Sequence, residues 1–160
     1  MTGTIGLPVG AEAPDFELRD QHGTPVRLSG FRGVRHVVLV FYPYAFSRVC
    51  SGELAALRDA WPELDREDRA LLGVSCDPMF SLRAFAEADA LPFPLLSDFW
   101  PHGAVASAYG VFDTERGCPR RSTYVVDRDG RIAWSVHHEM AESRKLGMYI
   151  DVLDALNDKK

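Results

Sequence analysis

Read for the spacing of its apolar residues, the chain begins with two short alternating stretches. Phe16-Glu17-Leu18-Arg19 and Val26-Arg27-Leu28 switch between apolar and polar on either side of the turn signal Gln21-His22-Gly23, which predicts an N-terminal hairpin. From His36 to Tyr42 the run is apolar and stops at Pro43, the pattern of a strand covered on both faces. Cys50, Leu54, Leu57, Trp61 and Leu64 then recur at intervals of three and four, one stripe of a helix that Pro62 should kink or end. Ala70 to Ser75 reads as a second buried strand. Asp77-Pro78 opens another helix carrying Leu82, Phe85 and Ala86, and Pro94 to Ser97 is a short segment of its own. Thr123 to Asp127 and Ile132 to Val136 flank the hairpin turn Arg128-Asp129-Gly130. Leu146, Tyr149, Ile150, Leu153 and Leu156 mark a closing helix.

A β-α-β unit followed by an antiparallel pair and a helix predicts an α/β fold of thioredoxin-like layout. Its central mixed sheet is flanked by helices, and the N-terminal β-hairpin is an extension. The 160 residues fit one domain, 1–160, with no repeat or linker to divide it. Apolar residues at 46% and charged residues at 26% are ordinary for a globular chain. The net charge of −5 argues against nucleic acid as a partner, since phosphate binding needs a concentrated basic face. No apolar run approaches the roughly 20 residues that cross a bilayer. The start, MTGTIGLPVG, lacks the basic and apolar regions of a secretory signal, so a cytoplasmic location is expected. Three widely spaced cysteines, Cys50, Cys76 and Cys118, form no disulfide framework, and the question becomes which thiol is reactive.

The stretch from Pro43 to Cys50 answers it best. A buried strand ends, a loop follows, and Cys50 falls in the first turn of the next helix. Free N–H groups and partial positive charge there stabilise an anion, so a thiol at that place is primed to act as a thiolate nucleophile. Plainer readings exist for the same residues. Ser47 serves as an N-cap with Cys50 at the third helical position, Pro43 merely ends a strand, and Cys50 is a core cysteine opening the apolar stripe.

The spacing Pro43-x-x-x-Ser47-x-x-Cys50 resembles the Pro-x-x-x-Thr/Ser-x-x-Cys motif of peroxiredoxins, with Ser where Thr is commoner. The resemblance implies that Pro43 covers the sulfur from water and that the Ser47 hydroxyl holds the peroxide oxygens. The backbone N–H groups of Val49 and Cys50 would take developing negative charge. Arg120-Arg121-Ser122-Thr123-Tyr124-Val125-Val126-Asp127 is similar to the stretch in which an arginine starts the strand beside the thiolate. It assigns that role to Arg121 rather than to its neighbour Arg120. Gly10-x-x-Ala13-Pro14-Asp15-Phe16, Leu95-Leu96-Ser97-Asp98 and Ala108-Tyr109-Gly110-Val111 extend the likeness, and Phe99-Trp100-Pro101-His102-Gly103-Ala104-Val105 looks like the one-cysteine alkyl hydroperoxide reductase E branch. Glu53 matches an acidic position that pairs with the arginine; otherwise it is a helix-favouring surface residue.

Cys76 ends a buried strand and should pack near the core. Cys118 is placed in a polar loop, three residues before Arg121, and remains a possible resolving thiol. Ala55 stands where a same-helix resolving cysteine would be, which favours a one-cysteine cycle. There is no Cys-x-x-Cys, phosphate loop or calcium loop, and His138-Glu139-Met140-Ala141-Glu142 lacks the second His of a zinc protease, so neither a cofactor nor a metal is indicated. The reading is a thiol-dependent peroxidase that reduces hydrogen peroxide or an organic hydroperoxide through a Cys50 sulfenic acid. The resemblance implies that an external reductant resolves it, a mycoredoxin- or thioredoxin-like protein or a low-molecular-weight thiol, and that the protein is a homodimer. The alternatives are a non-catalytic peroxide sensor signalling through oxidised Cys50, and a thioredoxin-fold thiol transferase.

Overall fold

The computed structural model describes residues 5–138 and 146–157. Its strands and helices follow the apolar pattern. The N-terminal hairpin is β1 (Glu17–Arg19) paired antiparallel with β2 (Pro25–Arg27), after which a 3-10 turn covers Leu28–Phe31. The continuous apolar run forms β3 (His36–Phe41), every residue of it buried. Helix α1 (Arg48–Asp59) ends where the sequence warned: Pro62 sits in the first turn of a separate short helix, α2 (Trp61–Leu64), where its missing N–H costs nothing. Strand β4 (Arg69–Ser75) and helix α3 (Met79–Asp89) come next, then β5 (Leu95–Ser97).

Three small elements had no sequence signature. They are α4 (Ala104–Ala108) and the two-residue strands β6 (Phe112–Asp113) and β7 (Cys118–Pro119), which pair antiparallel. Asp98 supports α4 by accepting the N–H groups of Val105 at 3.1 Å and Ala106 at 2.9 Å. The chain closes with the hairpin β8 (Arg121–Val126) and β9 (Ile132–His138) and the helix α5 (Leu146–Asn157). Among the described residues no helix is long and apolar enough to cross a membrane.

The main sheet runs β2-β1-β5-β4-β3-β8-β9. Strands β5, β4 and β3 are parallel to one another, and β8 and β9 add antiparallel beyond β3. The sheet is therefore mixed, as expected for the thioredoxin-like layout. Both faces are covered, which is why β3 shows no polar alternation. Val38 and Val40 point to one side, into a cluster with Leu54, Leu57, Phe85, Tyr149 and Leu153 from α1, α3 and α5. Val37, Leu39 and Phe41 point to the other, against Phe16, Leu28, Tyr109 and Tyr124. On β8 the same two-residue period puts Val125 in the first cluster and Val126 in the second, so Arg121 and Thr123 share the face that α1 covers.

The parallel β3-α1-β4 unit brings the C-terminal ends of β3 and β4 to one edge of the sheet. Because β8 is antiparallel to β3, its first residues arrive at that same edge, with Ser122 opposite Phe41. Loops at this edge are where open α/β sheets build their sites. Leu54, fully buried on α1, sets the seat of that helix on the sheet. Leu54→Ala should lower unfolding stability by about 2–5 kcal/mol in urea denaturation, the range for a truncated core leucine.

Candidate active site

Ser47 stands between the β3 loop and α1 with extended backbone angles, φ −68° and ψ 147°. Its Oγ accepts the Cys50 N–H at 3.2 Å, so Ser47 is the N-cap and Cys50 the third helical residue. Cys50 turns inward and is fully buried beside Leu54. Of the two backbone donors named for the developing charge, the one on Cys50 is thus engaged by the cap. Having accepted that bond, the Ser47 hydroxyl still carries its own proton and can donate it outward.

Arg121 heads β8 and is 3% exposed. Its Nη2 donates to Cys50 Sγ at 3.2 Å, and its Nη1 donates to Glu53 Oε1 in a buried ion pair. Glu53, itself 5% exposed, is therefore no surface residue, and that alternative is excluded. Arg120 is exposed, and its backbone N–H bonds the Val111 carbonyl at 2.7 Å. The planar guanidinium suits this double contact, meeting the carboxylate with one nitrogen and the sulfur with the other. Helical spacing makes it possible, since Glu53 lies three residues beyond Cys50 on the same face of α1.

Pro43 is buried at the end of β3. With Ser47, Val49 and Arg121 it lines a cleft of about 290 Å³, whose wall also includes Tyr44, Arg48 and Arg116. The structure thus brings together Pro43, Ser47, Val49, Cys50, Glu53 and Arg121. Tyr44 and Arg116 were not singled out from the sequence. Tyr44 fills an unspecified position of the motif, and Arg116 lies in a charged loop with nothing to mark it. The two are joined by a hydrogen bond from the Tyr44 hydroxyl to the Arg116 carbonyl at 3.1 Å.

Cys118 departs from expectation. It lies in β7, paired with Asp113, and is fully buried rather than in a polar loop. The strand is two residues long, and its polar flanks hide its packing. Cys76, at 6% exposure, packs near the core as expected. Both thiols line a second cavity of about 160 Å³ that shares Pro43 and Tyr44 with the first. Burial, reinforced by the Asp98 carboxylate, pushes the Cys76 thiol up to about 12. Burial also pushes the Cys118 thiol upward, and its hydrogen bond with Tyr44, together with burial, lifts the Tyr44 phenol to about 12. Near neutral pH Cys76 and Cys118 are protonated thiols, poor nucleophiles.

Among the described residues no three His, Cys, Asp or Glu side chains gather as a metal site would require. The rejected run from His138 to Glu142 lies outside the described residues beyond His138.

The model of the AhpC/TSA family matches residues 9–135. Alkyl hydroperoxide reductase E of Mycobacterium tuberculosis is 48% identical over 150 residues, covering 94% of this chain and 98% of that protein. The crystal structure of peroxidoxin BcpB from M. tuberculosis superposes with a TM-score of 0.80 at 32% identity, over 98% of this chain and 99% of that one. The structure of Enterococcus faecalis AhpC reaches a TM-score of 0.85 at 26% identity, over 94% and 92% of the two chains. With the fold, the helix-capped thiol and the family match in agreement, the chain belongs to the AhpC/TSA family and is a peroxiredoxin, a thiol-dependent peroxidase.

Proposed function

We propose that Cys50 is the attacking thiol, and that it reduces hydrogen peroxide or an organic hydroperoxide in a one-cysteine cycle. The hydrogen bond from Arg121 Nη2 to Cys50 Sγ carries this reading: among the described residues neither Cys76 nor Cys118 accepts a hydrogen bond from a guanidinium at its sulfur, and the charge of Arg116 near Cys118 does not outweigh the burial that raises that thiol. The thiolate attacks the terminal peroxide oxygen, the O–O bond breaks, and the departing oxygen takes a proton and leaves as water or alcohol. Cys50 is left as a sulfenic acid. Ser47 and Arg121 are the donors placed to bind the two peroxide oxygens, Pro43 excludes water from the sulfur, and Glu53 holds the guanidinium in place.

An external thiolate then displaces the sulfenic hydroxyl as water, forming a mixed disulfide. A second external thiol cleaves it and returns Cys50 as a thiol. The reductant is a mycoredoxin- or thioredoxin-like protein or a low-molecular-weight thiol. The protonated state of Cys76 and Cys118 supports this choice, with Cys118 the internal competitor. Family membership does not favour the sensor or the thiol transferase. The chain works as one domain, in the cytoplasm. The exposed aromatic side chains Phe80 (70%) and Trp100 (81%) line one surface groove together with Phe99, and this face supports a homodimer, since monomers seldom leave such groups uncovered together.

After one equivalent of peroxide, dimedone should trap a sulfenic acid on Cys50 and non-reducing peptide mapping should find no disulfide. A Cys76→Ser/Cys118→Ser variant should keep near-normal turnover with the external reductant. A high-yield Cys50–Cys118 crosslink, lost together with turnover in Cys118→Ser, would instead make this a two-cysteine enzyme.

Arg121→Ala should slow Cys50 oxidation by roughly a hundredfold, the scale of one lost transition-state donor. It should also destabilise the fold by about 3–5 kcal/mol by removing one partner of a buried ion pair. Arg120→Ala should do neither, in stopped-flow and urea measurements on the same preparations.

Light scattering should report a dimer for the wild type. Trp100→Glu should shift it toward monomer; an unchanged mass in both would remove this face from the assembly.

A further inference from the structure

The five residues Pro43–Ser47 must present Pro43 and Ser47 to Cys50 in one conformation. That conformation is not one the loop favours by itself. Phe46 has φ of 67°, the left-handed region that a residue with a Cβ takes only when its surroundings hold it there. Three contacts do so. The Phe46 ring lies 5.0 Å from that of Phe85, the Tyr44 hydroxyl reaches the Arg116 carbonyl, and the Ala45 N–H donates to Asp77 Oδ2 at 2.8 Å. Only the last ties the backbone of the loop to the neighbouring strand ends.

Asp77 is itself held from two sides. The Ser75 hydroxyl, at the end of β4, donates to the same Oδ2 at 2.7 Å, and the Asp77 N–H donates back to Ser75 Oγ at 3.3 Å. The Ser97 hydroxyl, at the end of β5, donates to the Asp77 carbonyl at 2.7 Å. The ends of two sheet strands thus fix Asp77, β4 through its carboxylate and β5 through its backbone carbonyl, and the carboxylate fixes the middle of the loop. None of these hydrogen bonds is made to Cys50, Glu53 or Arg121.

We propose that Asp77 is a positioning residue of the peroxide site. Through the Ala45 N–H its carboxylate sets the Pro43–Ser47 loop, and with it the place of the Ser47 hydroxyl beside the sulfur. Without the acceptor, the Ala45 N–H loses its partner and Phe46 is free to leave the left-handed region. The loop then relaxes, and Ser47 with it. The sulfur keeps its contact with Arg121, so Cys50 remains a competent nucleophile toward reagents that need no oriented oxygen. The inference rests on Cys50 being the attacking thiol.

Two rates measured on each variant separate positioning from a general loss of structure: oxidation of Cys50 by hydrogen peroxide in stopped flow, and its alkylation by iodoacetamide. Asp77→Ala should lower the oxidation rate by roughly ten- to a hundredfold, the scale of a misplacement near 1 Å. Alkylation should stay within about threefold. Asp77→Asn, which can turn its amide oxygen toward Ala45, should recover oxidation to within about fivefold of the wild type. Ser75→Ala frees the carboxylate from its anchor without touching the loop. It should slow oxidation by roughly threefold and carries the test should Asp77→Ala not fold. Wild-type oxidation in Asp77→Ala, or in Ser75→Ala where Asp77→Ala does not fold, overturns the proposal. So does a fall of both rates in proportion, or an Asp77→Asn as slow as Asp77→Ala. Wild-type protein whose Cys50 resists peroxide would overturn the assignment of the nucleophile instead.

Discussion

A guanidinium taken out of water has to be met by an anion and by acceptors for its N–H groups, and Arg121 is almost wholly enclosed. Glu53 supplies the anion from α1, and the Cys50 sulfur accepts from the nitrogen that the carboxylate leaves over. Neither contact survives a shift of α1 by one turn, or a slip of β8 by one residue, which would turn Arg121 to the opposite face. The helix register set by Leu54 and Leu57 and the strand register of β8 on β3 therefore have to agree. Packing of the core and chemistry of the site are parts of a single constraint.

The sheet supplies the rest of the geometry. Parallel pairing of β3 with β4 places Pro43 and Asp77 at one edge, and antiparallel pairing of β3 with β8 brings Arg121 to it. Three segments far apart in the chain therefore meet at the first turn of α1, where the helix offers its unpaired N–H groups. Ser47 belongs to two of these systems at once, capping the helix and lining the cleft. The two roles are compatible because a hydroxyl accepts with its lone pairs and donates with its proton.

What could be read from the sequence follows from how far each feature depends on contacts distant along the chain. The unbroken run of β3, the stripe of α1 and the cap at Ser47 are local signals, and they were legible. Arg121 could be separated from Arg120 by family spacing, and the alternation along β8 gives the physical reason. Glu53 could not be placed, because its burial depends on a cation brought from β8 by the sheet. Cys118 was misplaced because a two-residue strand among polar neighbours carries no period. Asp77 read only as the opening of α3, since its partner Ala45 becomes a neighbour only when β3 and β4 pair. Helix α4 was missed for a related reason: it is short, and its support comes from Asp98 through hydrogen bonds rather than through an apolar stripe.

All three cysteines are buried, so exposure does not single out Cys50. Surroundings do. Cys76 lies beside the Asp98 carboxylate and Cys118 beside the Tyr44 phenol, and burial raises both thiols. Cys50 alone has both a guanidinium donating to its sulfur and a place in the first turn of a helix. The same enclosure shapes the second half of the proposed cycle. A reductant must bring its sulfur in line with the S–O bond of the sulfenic acid, and the open approach is the cleft lined by Pro43, Ser47, Val49 and Arg121. In the proposed cycle the walls of that cleft make the choice of reductant a question of shape as well as of potential.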